Sequence, residues 1–133
     1  MITGLLTGLL GLIYFLISLD VIKARIKHQI SLGYGKNNEI ASIVSAHGNF
    51  ISYTPFLLIL LYFIEISGVF HWVVILIFGG SFFIGRVLHY LSFRSKKMNF
   101  KLRKLGMQLT LYPLLIMAIC NIGIFFYKAF IAF

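Results

Sequence analysis

The sequence predicts an all-α integral membrane protein, an antiparallel bundle of four transmembrane helices. Of its 133 residues 60% are apolar, more than a soluble domain of this length has core to hide. Residues 1–19, 40–64, 66–85 and 105–127 carry no Asp, Glu, Lys or Arg. Each of these stretches approaches the ~20 residues that cross about 30 Å of hydrocarbon. The charged residues collect between the stretches, which is where a bilayer would put them.

The first helix is expected from about Ile2 to Lys27, with an interfacial last turn or two. Gly4, Gly8 and Gly11 give it a small-residue strip against which a neighbouring helix can pack closely. This run lacks a basic leader and a good small-residue cleavage pattern, so it reads as a retained span. SLGYGKNN (Ser31–Asn38) is a turn, since its glycines and asparagines end a helix cheaply. Asn38 is the expected N-cap of a second helix running to about Ile66, in which Pro55 is expected to kink the helix and not to end it. EISGVFHW (Glu65–Trp72) is short enough to make helices two and three a hairpin, with His71 and Trp72 at the interface. The third helix is expected over about Trp72 to Leu91 and the fourth over about Leu102 to Tyr127, with Pro113 inside it. The whole of 1–133 reads as one transmembrane domain.

A formal net charge of +9 raises the question of nucleic acid, and the placement of the charge answers it. Lys23, Arg25, Lys27 and Lys36 lie between the first two spans, and Arg94, Lys96, Lys97, Lys101, Arg103 and Lys104 between the last two. With four spans these connections share one side, and the other side has only Glu65 and Lys128. The positive-inside rule puts both basic connections in the cytoplasm and both termini outside. Their partners are then membrane lipids with anionic headgroups, not nucleic acid.

Several polar groups inside the spans need an explanation. Arg86 either snorkels to the headgroups or has a buried partner or bound anion. On the second helix Ser45, Asn49, Ser52 and Tyr53 share a stripe that Phe56 extends, while His47 points largely away from it. His47 and Arg86 fall at similar depth, so they can serve one cleft only if the second helix is shared between subunits. Asn49 is either an interhelical hydrogen bond or a ligand contact, and His47 either packs or binds. Glu39 can pair with Arg103 or Lys104 near the interface. His89 and Tyr90 approach the Arg86 face; they either tune an anion or anchor the helix, and anchoring is the better reading of Tyr90. His28, His47, His71 and His89 are dispersed and Cys120 is alone, so no metal signature emerges. There is also no phosphate loop, nucleophile motif or dinucleotide fingerprint.

Four segments, EIASIVSAHGNFISYTPF (Glu39–Phe56), GRVLHY (Gly85–Tyr90), LRKLGMQLT (Leu102–Thr110) and TGLLGLIYFLISLDVIKAR (Thr7–Arg25), together resemble the MAPEG family, the membrane-associated proteins in eicosanoid and glutathione metabolism. The resemblance covers nearly the whole chain and looks most like the bacterial members. It implies a homotrimer of four-helix subunits with glutathione bound in clefts between them. It also implies conjugation, isomerisation or peroxide reduction of lipophilic small molecules, and a multi-pass location in the cell inner membrane. Carried onto this chain, Glu39, His47 and Asn49 would belong to a helix-two polar network, with Arg86 and His89 from helix three and Arg103 from helix four. Arg103 would stabilise the glutathione thiolate and Arg86 would organise the site. The chain departs from the family pattern at Ser45 and Ser52, where Arg and Glu are usual, and at Phe93 and Met107, where Tyr is usual. Loss of the charged donor and the carboxylate at Ser45 and Ser52 would remove charge-assisted contacts to glutathione. A noncatalytic scaffold or lipid-binding protein is the alternative function.

Overall fold

The computed structural model describes residues 1–94 and 99–131. Four helices follow one another: α1 (Ile2–His28), α2 (Asn38–Ser67), α3 (Trp72–Arg94) and α4 (Phe100–Ile131). All four are long and apolar enough to cross a membrane. α3 runs past Leu91, and α4 begins before Leu102 and continues past Tyr127. Hydropathy marks the part of a helix inside hydrocarbon, whereas the hydrogen-bonded spiral carries on into the interface. Lys96 and Lys97 lie outside the described residues. Both prolines are internal, Pro55 in α2 and Pro113 in α4.

The turn between α1 and α2 is fixed by three local devices. Gln29 closes α1 in the left-handed region at φ 53°, and its backbone N–H donates back to the last turn. Arg25 Nη1 donates to the carbonyls of Ile30, Ser31 and Gly33 at 3.3, 3.1 and 3.0 Å. Asn37, one residue before the expected Asn38, is the N-cap of α2, its Oδ1 accepting from Ile40 N at 3.1 Å. Of two consecutive asparagines, the cap is the one whose backbone stays extended, here at φ −96° and ψ 110°.

α2 and α3 form the central pair of the bundle; α1 and α4 pack on opposite flanks, with no close backbone approach between them among the described residues. Leu10, Ile17, Leu57, Leu61, Phe82 and Met117 are buried between the helices. Leu5, Phe15, Ile59, Phe63, Ile84 and Ile119 point outward, as lipid-facing side chains do. The Gly4, Gly8 and Gly11 strip is not a close-packing seam within the chain: a Cβ at Gly8 or Gly11 would meet nothing within 4 Å. Close approach happens instead where α3 crosses α4. A Cβ at Gly106 would lie 2.8 Å from both Gly85 O and His89 N. Sequence spacing identified a strip of small residues but could not say which helix faced it.

Glu65, near the end of α2, reaches across to the start of α1. Its Oε1 accepts from Ile2 N at 2.5 Å and its Oε2 from Thr3 N at 2.9 Å, so a carboxylate satisfies two of the N–H groups that a helix start leaves open. Glu65→Ala is expected to cost about 1 kcal/mol. It should speed amide exchange in the first turn of α1 while leaving the α3 and α4 crossing unchanged; unaltered exchange at Thr3 would refute this role.

Candidate functional site

Arg86 sits about 12 Å from the C-terminal end of α3, at 1.5 Å per residue. It is only 1% exposed, so it does not snorkel. Its Nη1 donates to Asn49 Oδ1 of α2 at 2.9 Å, and its Nη2 to Thr110 Oγ1 of α4 at 2.5 Å. Thr110 can accept because its own proton goes to Gly106 O at 2.8 Å. Asn49 Nδ2 and Arg86 Nη2 both point at Met107 Sδ, at 3.7 and 3.9 Å. The Tyr53 ring lies 5.6 Å from the guanidinium carbon, within cation–π range. One side chain thereby joins α2, α3 and α4.

These partners are all neutral. Among the described residues no carboxylate lies within ion-pair distance of Arg86, and its Nε is buried without a hydrogen bond. The node thus holds a positive charge in low dielectric with only dipoles around it, and such a charge draws an anion toward its neighbourhood.

His89, one turn along α3, is 3% exposed and its Nε2 has no partner. Its backbone is pressed against Gly106, and its ring lies 5.1 Å from the Phe93 ring. The guanidinium carbon of Arg103 stands 5.1 Å from the same Phe93 ring. His89, Phe93 and half-exposed Arg103 therefore form a row leading from the node toward the end of the bundle that carries both basic connections.

The remaining predicted residues lie elsewhere. His47 stacks on Tyr14 of α1 with centroids 5.1 Å apart, and its Nε2 is 3.4 Å from Ser18 Oγ. It faces α1, away from the Asn49 stripe as its angle around α2 implied, so no pocket within one chain includes both His47 and Arg86. Glu39 does not reach Arg103 or Lys104. It pairs with α1, its carboxylate accepting from Lys27 Nζ at 3.0 Å and contacting His28 Nε2 at 2.8 Å. Depth placed Glu39 level with the start of α4, but α1 is the helix packed on that end of α2.

Tyr90 is also more than an interfacial anchor, since its hydroxyl donates to the Asp20 carboxylate and ties α3 to α1. Asp20 and Thr110 were not singled out by sequence reasoning. An acid within the first span was one available signal. Arg103, Gly106, Met107 and Thr110 at i, i+3, i+4 and i+7 on one helical face were another. Ser45 and Ser52 are exposed, and Ser52 donates back to Gly48 O at 2.8 Å. An open concavity of about 580 Å³, lined by Ser67, Gly68, Val69, Tyr127, Lys128 and Ile131, lies at the opposite end of the bundle and includes none of these groups. Among the described residues no three His, Cys, Asp or Glu side chains come together in a way that could hold a metal.

The MAPEG family profile matches residues 3–123, a span that includes the node, the row, the whole of α2 and α3 and most of α1 and α4. The chain belongs to the MAPEG family. It is 32% identical over 122 residues to inner membrane protein YecN of Escherichia coli K12, an alignment covering 92% of this chain and 91% of YecN. YecN of Escherichia coli O6:H1 matches to the same extent. In this MAPEG chain the polar contacts fall into an interior node on α2, α3 and α4, a separate α1 and α2 face, and the tie between Tyr90 of α3 and Asp20 of α1.

Proposed function

We propose that the chain is a glutathione-dependent MAPEG protein of the inner membrane, acting on lipophilic electrophiles as a transferase or peroxidase. In this reading both basic connections face the cytoplasm, the termini lie outside, and three copies assemble so that each site is completed at a subunit boundary. The observation that carries the reading is the Arg86 charge, fully buried and held only by neutral groups. Because no carboxylate among the described residues lies within ion-pair distance of this cation, the site is electrostatically suited to an anion.

The residues present fit glutathione in part. Arg86 and His89 each have a buried nitrogen without a partner, and Arg103 is half-exposed at the start of α4. Glu39 and His47 are committed to α1 and add nothing to this set. Arg103 would contact the thiolate, favouring its charged form. Arg86, which is enclosed, would act as an organiser by fixing Asn49 and supplying field; Phe93 would keep the Arg103 fork flat against its ring. When bound, glutathione supplies the nucleophilic sulfur. The outward apolar faces would hold the lipophilic partner at the same depth, which brings two reactants of opposite polarity together.

Equilibrium binding of glutathione to the purified, detergent-stabilised protein tests this. Wild type is expected to bind saturably and Arg103→Ala to bind at least about tenfold more weakly, a loss of about 1.4 kcal/mol, with unchanged oligomeric state. No binding by correctly assembled wild type would refute it. A noncatalytic scaffold or lipid-binding role is the second reading, favoured by Nη1 and Nη2 of Arg86 both being satisfied inside the bundle. It predicts that Arg86 variants alter assembly and that glutathione does not bind.

A further inference from the structure

We propose that the connection between α1 and α2 is a protonation-sensitive latch, in which His28 decides whether α2 keeps its N-cap. The geometry fixes the chemistry atom by atom. Asn37 Oδ1 accepts from Ile40 N at 3.1 Å, and this sets the amide orientation, because a flipped amide would point its NH₂ at that N–H. Asn37 Nδ2 is then the group 3.0 Å from His28 Nδ1. An NH₂ can only donate, so His28 Nδ1 must be the acceptor and carries no proton. The ring proton sits on Nε2 and is donated to Glu39 Oε2 at 2.8 Å.

Adding a proton to His28 Nδ1 places two donors face to face. Asn37 cannot resolve the conflict by flipping without losing Ile40, so it must move away, and the cap of α2 goes with it. The same proton strengthens the other half of the contact, since an imidazolium beside the Glu39 carboxylate makes a charge-assisted bond. The connection therefore has two states, one held by the Asn37 cap and one held by the His28 and Glu39 ion pair. Histidine is the side chain whose charge ordinarily changes between about pH 5 and 8, which sets the range over which the exchange is tested.

The other charges around His28 are placed to oppose or tolerate this. From α1, Lys27 Nζ shares the Glu39 carboxylate at 3.0 Å. Arg25 is engaged with the carbonyls of Ile30, Ser31 and Gly33 and so holds the rest of the connection while Asn37 moves. Lys36 is exposed beside Asn37. α3 also packs on α1, where its Tyr90 donates to Asp20, about two turns before His28, and α4 makes no close backbone approach to α1 among the described residues.

The test is nitrogen-15 NMR of the full chain in lipid nanodiscs from pH 8 to pH 5, following the Ile40 amide and the His28 ring together. In wild type the Ile40 amide proton is expected to shift upfield in step with His28. Its exchange protection, corrected for the intrinsic rate at each pH, should fall about five- to tenfold, the size of a lost N-cap. His28→Gln should leave Ile40 insensitive to pH. Asn37→Asp should do so as well, for a different reason: a carboxylate accepts from Ile40 N and from protonated His28 at once. Three results overturn the latch: an Ile40 amide that stays still while His28 titrates, a His28 ring that stays neutral down to pH 5, or an Asn37→Asp variant that responds like wild type.

Discussion

Replacing Gly106 with valine is expected to separate α3 from α4 and to be among the most damaging single changes in the chain. The new Cβ would lie 2.8 Å from Gly85 O and from His89 N, both backbone atoms, and 3.0 Å from His89 Cβ. A flexible side chain could swing away from such a contact, but two helix backbones can relieve it only by moving apart. Alanine alone should cost about 2–3 kcal/mol and valine more, read as a lowered midpoint in reversible unfolding from mixed micelles. Gly8→Ala is the matched control. Nothing lies within 4 Å of the Cβ it would create, so its effect should stay within about 0.5 kcal/mol.

Arg86→Ala is the second large effect. It empties a long, fully buried side chain's volume and leaves Asn49 Oδ1 without its donor. Thr110 is less affected, because its hydroxyl still donates to Gly106 O. The cavity and the stranded acceptor together predict a loss of about 3–5 kcal/mol. Arg86→Met separates the two roles of the residue. It fills most of the volume and removes a buried charge, so its stability should fall by only about 1–2 kcal/mol or not at all. If the charge draws the anion, Arg86→Met should nevertheless lose glutathione. A variant that folds like wild type and binds glutathione like wild type would remove Arg86 from the site.

The fold was legible because a bilayer imposes a simple rule: backbone groups in hydrocarbon must bond within their own helix, so apolar length alone identifies the spans. Arg86 was legible as a problem for the same reason, since a cation at that depth must have partners. The direction of His47 was readable from the 100° step around α2. Identifying partners was harder, because a helical face says which way a residue points but not which helix stands there. Glu39 found Lys27 and His28 on α1, not α4, and Tyr90 found Asp20. Thr110 is an ordinary residue for a membrane helix, and only the Gly85 and Gly106 crossing makes it the second acceptor for Arg86. That crossing depends on two glycines far apart in the chain, each unremarkable alone.

A thermodynamic double-mutant cycle on Arg86→Met and Asn49→Ala, measured by reversible unfolding, tests the node most directly. The structure predicts that the two changes couple by about 1–2 kcal/mol, because Nη1 of Arg86 donates to Asn49 Oδ1 at 2.9 Å between α3 and α2. Strictly additive effects would contradict it, and would mean that Arg86 is held by something other than the α2 helix.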